Sequence, residues 1–160
     1  MKKLTLIIIA ALTIFTGVYS QTKLDYLVLE KINEYRVGKG LNQVIWTDKS
    51  YKASKYHNDY QFRVEKATHF GVGNMKTPSD RFKFYDIPFI RMGENILCTY
   101  VDEGTTMDDL AIRIFNRWKN SPLHNKTMLG DYKYGSISCS NSTICFSTMN
   151  FWSPILGNTD

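Results

Sequence analysis

Apolar residues recur every three or four positions near the start of the sequence, and this spacing predicts an amphipathic helix. The stripe runs from Leu24 to Tyr35, and Gly38 and Gly40 end it. A second helix is predicted to begin with Thr47 as its capping residue, because a threonine there accepts a hydrogen bond from the first turn. One stripe of this second helix is expected to face the core: Ala53, His57, Tyr60 and Val64.

Two later stretches carry the signature of a capped helix start, in which an acid follows a threonine after three positions. Thr77 precedes Pro78 and such an acid, and it predicts a short helix through Tyr85. Thr106 predicts a longer helix, which the segment around Pro122 ends. The apolar stripe of this longer helix consists of Met107, Leu110, Ile114 and Trp118.

Three segments are rich in Ile, Tyr, Phe and Thr, which favours β-strands. They are residues 95–100, 134–139 and 143–149. Helices early in the chain, strands late and a helix between them predict an α+β domain, in which helices pack on a small antiparallel sheet. Since the sequence shows no internal repeat and no linker, residues 21–160 are expected to form a single domain.

The first twenty residues have the order of a secretory signal peptide. Lys2 and Lys3 supply a positive start, residues 4–18 are mostly apolar, and Ser20 is a small residue at the expected cleavage point. The apolar stretch is short for a membrane-spanning helix, so no stable membrane insertion is expected. The sequence therefore predicts a secreted or periplasmic protein, and an uncleaved N-terminal anchor is the alternative.

The charge of the chain argues against a nucleic-acid partner. Without Lys2 and Lys3 there remain 18 basic and 15 acidic residues, which is a net charge of +3. These charges are interspersed and no basic run stands out, whereas nucleic-acid-binding proteins concentrate cations in one stretch or on one face.

Three cysteines lie beyond the predicted signal peptide, where an oxidising compartment permits disulfides. Cys139 and Cys145 flank a short polar stretch that is predicted to form the tip of a hairpin. A disulfide between these two is expected, with Cys98 left buried in a strand. Pairing of Cys98 with either of the others is the competing arrangement.

The three histidines differ in their surroundings. His57 lies on the apolar stripe of the second helix, which is typical of a core histidine bonded to a neighbour. His69 and His124 each follow a helix, and residues in such loops often bind ligands. Glu94 follows a glycine at the head of a predicted strand. Their spacing along the chain does not by itself bring these groups together.

Several separate stretches resemble the motifs of the CAP superfamily, which comprises the cysteine-rich secretory proteins, antigen 5 and the pathogenesis-related 1 proteins. Residues 93–96, Gly-Glu-Asn-Ile, resemble the family's GENi signature, and Thr68-His69 matches its sH pair. Residues 118–124 resemble the W-x-x-Sp-x-H form that is typical of bacterial and other extracellular members. The other matching positions are residues 32–36, residues 41–46, Ala53, Arg81, residues 128–129, Gly135 and residues 147–151.

This resemblance implies a three-layer α-β-α sandwich with a central cleft. In the family the cleft holds two histidines and two acids, and the histidines can bind zinc or another divalent metal. The second acid normally comes shortly after the helix tryptophan, but no acid follows Trp118 before His124, so this corner of the tetrad lacks its acid. Carried over to this sequence, the metal-binding residues are His69 and His124, the first acid is Glu94, and the cleft also contains Asn95 and Ser121.

These three side chains admit two physical interpretations. Two neutral imidazoles facing one another can share a zinc ion that keeps open positions for water or an anion. Glu94 then fixes the tautomer of one ring, or acts as the catalytic general base towards a bound water. The alternative is structural: Glu94 and the histidines satisfy each other's hydrogen bonds and hold the sheet against the helices.

Two functions follow as hypotheses. The first is a secreted, non-enzymatic protein that binds a small molecule, a lipid or an extracellular or host partner through the cleft, as the resemblance implies. The missing acid and the lack of a nucleophile motif favour it. The second is a metal-assisted hydrolase of peptide or cell-wall material, with His69 and His124 on the metal and Glu94 as the base.

Overall fold

The computed structural model describes residues 21–140 and 142–155, so the predicted signal peptide at residues 1–20 lies outside the described part. The elements are α1 (Lys23–Gly38), α2 (Asp48–Arg63), α3 (Pro78–Phe84), β1 (Arg91–Tyr100), α4 (Met107–Lys119), α5 (Pro122–Met128), β2 (Tyr134–Cys139) and β3 (Ile144–Ser153). A single turn of 3-10 helix, Gly73–Met75, precedes α3. Within the described residues no helix combines the length and the apolar character needed to cross a membrane.

Threonine side chains define where four of the helices begin. Thr77 and Thr106 each form the reciprocal capping box with the acid three residues on, as the sequence predicts. Thr47 accepts a hydrogen bond from the backbone of Ser50 at the predicted start of α2, and Thr22 caps α1. Helix α5 is not predicted from the sequence, although Pro122 suits its first position, where no backbone N–H is needed.

The sheet has the strand order β1-β3-β2, and both pairings are antiparallel. Strand β1 begins at Arg91 rather than at residue 95, and β3 continues to Ser153, so both are longer than predicted. Arg91 lies opposite Ser153 at one end of the β1–β3 ladder. Glu94 therefore lies inside an edge strand rather than ahead of it.

Helices cover both faces of the sheet and produce the three layers. Met149 and Phe151 of β3 face the core formed with α1 and α4, while Trp152 faces Phe82 of α3 and the N-terminal half of α2. Trp118 of α4 is 0% exposed, and its indole nitrogen donates to the carbonyl of Ile96 on β1 (3.1 Å). This arrangement confirms the predicted α+β sandwich on a small antiparallel sheet.

Helix α2 packs on the sheet through buried polar side chains as well as apolar ones. Ser54 donates to the carbonyl of Ser136 (2.9 Å) and Gln61 donates to Thr148 (2.7 Å). The predicted stripe is right at Ala53 and His57, which are fully buried, but wrong at Val64. Val64 is 42% exposed because α2 ends one residue earlier. Met107, the predicted start of the α4 stripe, is 38% exposed, since it is the first residue of its helix.

The predicted disulfide between Cys139 and Cys145 is absent, because all three cysteines are free thiols. The hairpin register places Cys139 opposite Ser147, so that Cys145 occupies the diagonal position on the same face. The Cys139 and Cys145 thiols nevertheless hydrogen-bond to each other across this diagonal. Cys98 lies opposite Phe146, on the other face of the sheet, so it does not pair with either thiol.

A buried arginine ties the end of α1 to the chain that follows α5. Arg36 is 1% exposed, and its guanidinium donates to the carbonyls of Asn42 (3.0 Å), Met128 (2.6 Å) and Gly130 (2.9 Å). A fourth bond reaches the carbonyl of Tyr132 (3.3 Å). Because α5 ends at Met128, these bonds help to hold the short helix that carries His124 in place.

Candidate functional site

Glu94 projects from β1 onto the face of the sheet that α2 and α3 cover, since it lies directly opposite Asn150. Its side chain is only 2% exposed. One carboxylate oxygen, Oε1, lies 2.9 Å from Nδ1 of His69, and the other, Oε2, accepts a bond of 2.6 Å from Nη2 of Arg81. Both oxygens of the buried carboxylate are therefore engaged by cationic or proton-donating groups.

Arg81 of α3 connects the acid to the loop that carries His69. The residue is fully buried, and its guanidinium also donates to the carbonyl of His69 (3.3 and 3.4 Å). Weaker bonds of 3.5 Å reach the carbonyls of Met75 and Lys76. The sequence motifs include Arg81, but no local pattern relates it to Glu94, because the ion pair depends on how α3 folds back on β1.

The proton position on His69 follows from its partner. A carboxylate can only accept, so Nδ1 of His69 carries the hydrogen and donates to Glu94. The other ring nitrogen, Nε2, then presents a lone pair when the ring is neutral. The side chain is 45% exposed, so the ring is partly open to solvent.

Two hydrogen bonds from α2 hold Thr68, the residue that precedes His69. His57 is 0% exposed, and its Nε2 donates to the carbonyl of Thr68, which confirms the predicted core role of this histidine. Gln61 accepts a bond from the backbone N–H of Thr68 (3.1 Å). Two side chains of helix α2 therefore hydrogen-bond to the backbone carbonyl and N–H of Thr68, the residue before His69. The apolar stripe in the sequence did not predict these contacts.

His124 lies in α5 and is oriented by a hydroxyl instead of an acid. Its Nδ1 lies 2.9 Å from Oγ of Ser121, the residue three positions earlier. Burial, and to a smaller extent the charge of nearby His69, lowers the pKa of His124, which keeps the ring neutral at physiological pH. Ser121 therefore orients His124 at the corner where the resemblance leads one to expect the second acid.

Two consecutive residues of β1 bring the two histidine segments together. Glu94 contacts His69, and the next residue, Asn95, donates through Nδ2 to the carbonyl of His124 (3.0 Å). Asn95 points to the opposite face of the sheet and is 0% exposed, so it anchors α5 and does not line an open cleft as expected. The other four predicted site residues lie around this point of the edge strand.

The donor set suits a metal site with few protein ligands. Both histidines use Nδ1 for a contact within the protein, which leaves Nε2 of each ring for an ion, and neutral imidazole nitrogens are common zinc ligands. Among the described residues no group of three or more His, Cys, Asp or Glu side chains is placed to hold a metal. Water or a bound ligand would have to complete the coordination of an ion held here.

A sequence model of one protein family, CAP or the cysteine-rich secretory protein family, matches residues 29–153. No curated protein matches the chain at a significant level.

Several solved structures have the same fold. An outer surface protein from Borrelia burgdorferi is 22% identical with a TM-score of 0.70, and the match covers 85% of this chain and 97% of that one. An extracellular protein containing a SCP domain from Bacillus anthracis is 20% identical with a TM-score of 0.67; the match covers 81% of this chain but 40% of that one. NaASP2, in a crystal structure with Zn2+, is 13% identical with a TM-score of 0.55, and 84% of this chain and 82% of that chain match. At such identities the likeness shows the fold alone.

Proposed function

The chain belongs to the cysteine-rich secretory protein (CAP) family, and from this premise we propose that it is an exported, non-enzymatic protein that binds a ligand through a zinc-loaded site at His69 and His124. Export is supported by the signal-peptide pattern of residues 1–20. The ligand class, whether a small molecule, a lipid or an extracellular or host partner, follows from the family resemblance and not from a feature of this chain.

The observation that carries the proposal is the way the two rings are oriented. His69 is bonded through Nδ1 to Glu94 and His124 through Nδ1 to Ser121, so each ring has Nε2 left over. A carboxylate behind a metal-binding histidine fixes its tautomer and raises its basicity. Glu94 supplies this support to His69, and Ser121 orients the second ring. When bound, a zinc ion would act as a Lewis acid that attracts an anionic or carbonyl group of the ligand.

The same geometry favours binding over hydrolysis. A general base must be free to accept a proton from water within hydrogen-bond reach. Glu94 is 2% exposed, and its two oxygens already accept bonds from Arg81 and His69. Glu94 is therefore best described as a positioning residue, and the hydrolase hypothesis lacks its base.

Zinc titration by calorimetry at pH 7.5 tests the proposal. We expect one zinc ion to bind per chain, and no binding after His69→Ala or His124→Ala. Glu94→Gln keeps an acceptor but removes the charge, and loss of such a partner lowers zinc affinity about 10- to 100-fold. Lys126→Ala is the matched control, because this exposed residue lies two positions from His124 in α5 and is not a metal ligand.

Two results would contradict the zinc site. One is a wild-type protein that does not bind zinc under these conditions. The other is equal affinity in the wild type and in both histidine variants, which would place any bound zinc elsewhere. Circular dichroism of each variant shows whether the fold is retained, so that loss of binding is not confused with unfolding.

A further inference from the structure

The two segments that carry the histidines contain no acidic residues. These segments are residues 66–79 and residues 117–130. They carry the exposed cations Lys66, Lys76 and Lys126, and within the described residues none of these three forms a salt bridge. Such a surface attracts anionic partners.

The same two segments expose large apolar side chains. Phe70, which follows His69, is 59% exposed and Val72 is 53% exposed. Leu123, which precedes His124, is 78% exposed. These side chains flank the same edge of the sheet, because His69 contacts Glu94 and the carbonyl of His124 contacts the adjacent residue of the edge strand β1. We call this set, Phe70, Val72 and Leu123 with Lys66, Lys76 and Lys126, the apolar–basic surface.

The apolar side chains are held outward by a fixed backbone. Arg81 donates to the carbonyls of His69, Met75 and Lys76, and Gly71 donates to the carbonyl of Lys76 (2.7 Å), so the loop that carries Phe70 and Val72 is pinned at both ends. Exposed apolar groups grouped with cations mark an interaction site more often than scattered ones do. The hydrogen-bonded loop backbone therefore keeps Phe70 and Val72 exposed.

Three acids near the apolar–basic surface already make contacts within the protein. Asp80 bonds to the backbone and hydroxyl of Thr77, and Asp131 pairs with Arg91. Glu94 is buried against Arg81. Glu65 and Asp80 border the first segment and form no salt bridge within the described residues, and the three lysines outnumber these two acids.

We propose that the apolar–basic surface docks the protein on an anionic lipid bilayer, with Phe70, Val72 and Leu123 entering the headgroup region and the lysines contacting the charged lipids. Proteins that adsorb at a bilayer combine these two kinds of side chain, and each cation near an anionic surface adds to the attraction. A nucleic acid or a soluble polyanion would use the cations but would gain little from three protruding apolar groups. Docking would hold the histidine pair against the membrane, yet the inference does not depend on bound zinc.

Vesicle sedimentation tests the proposal on residues 21–160, which contain every described element of the fold. The probes are vesicles of phosphatidylcholine alone and of phosphatidylcholine with phosphatidylglycerol at about 3:1, a composition that gives the surface a clear negative potential. We expect binding to the anionic vesicles and little to the neutral ones. Phe70→Ser and Leu123→Ser should each lower the partition coefficient about tenfold. Phe84→Ser is the matched control, since Phe84 is 49% exposed on α3, outside this surface.

The outcomes separate the possible partners. Equal binding to both vesicle types, or an equal loss in the Phe84→Ser control, would overturn the proposal. So would binding to heparin that matches vesicle binding in strength and is unchanged by Phe70→Ser, because that pattern identifies a soluble polyanion as the partner. A parallel series with EDTA and with His69→Ala should leave vesicle binding intact, so failure of the zinc site and failure of membrane docking are distinguishable.

Discussion

Replacement of Arg36 by methionine removes the only cationic group that joins α1 to the chain after α5 in the described part of the structure. The guanidinium is 1% exposed and donates four hydrogen bonds, all to main-chain carbonyls. Methionine fills a similar volume but offers no donor. The carbonyls of Met128 and Gly130 would lose their partner at the point where α5 ends.

The expected loss of folding stability follows from these hydrogen bonds. A hydrogen bond to a charged group contributes about 1.5–3 kcal/mol, and an orphaned buried acceptor costs about 1–3 kcal/mol. The four bonds share one side chain and are not additive, and methionine recovers part of the apolar packing. We therefore expect the free energy of unfolding of Arg36→Met to be lower by about 4 kcal/mol, which corresponds to a melting temperature roughly 10–15 °C lower. Arg36→Lys keeps the charge but lacks the planar fork and should lose about half as much.

Urea unfolding followed by the fluorescence of the three tryptophans measures these differences. Arg63→Met is the control, because Arg63 stacks on Tyr60 in the last turn of α2 and its substitution should change stability by less than about 0.5 kcal/mol. An Arg36→Met protein within about 1 kcal/mol of the wild type would refute the argument, since the four carbonyls would then be satisfied without the guanidinium.

Two further predictions concern titration and thiol chemistry. Burial lowers the pKa of His57, and its Nδ1 has no hydrogen-bond partner among the described residues. As the pH falls below 6.5, the unfolded chain therefore takes up a proton at this histidine that the folded chain does not. Below that pH the free energy of unfolding should fall by up to about 1.4 kcal/mol for each pH unit. The difference in unfolding free energy between the wild type and His57→Gln, measured from about pH 7 to pH 5, should follow this slope. A difference that does not change with pH would contradict the prediction. Thiol titration with a chromogenic disulfide should find three free thiols in urea and slow reaction of half-buried Cys98 alone in the folded protein, whereas a single thiol in urea would show that two cysteines are joined.

Local signals in the sequence predicted the helices well because helix starts are determined by neighbouring residues. Thr77 and Thr106 cap α3 and α4 through acids three positions away, and such pairs are visible in the sequence. Helix α5 was missed because Pro122 was interpreted as the end of α4, although the same residue also starts a new helix. The strands were found, but their lengths depend on partners far along the chain.

The candidate site depends on contacts that no local pattern encodes. The family resemblance pointed to His69, Glu94 and His124, while the ion pair of Glu94 with Arg81 arises from the packing of α3 against β1. The expected disulfide is not formed, since the cysteines are free thiols, although the hairpin register places Cys139 and Cys145 on one face of the sheet, where they hydrogen-bond to each other. Whether the histidines hold zinc stays a prediction.

The order of the strands has a consequence for how the chain reaches its final state. Strand β3 is the centre of the sheet and is made after β1 and β2, so neither of them can pair with β3 until residues 144–153 have been synthesised. The ladder with β1 joins positions as distant as Arg91 and Ser153, and closing such loops slows folding. The strands of a nascent chain therefore cannot pair with one another until the last of them has been made.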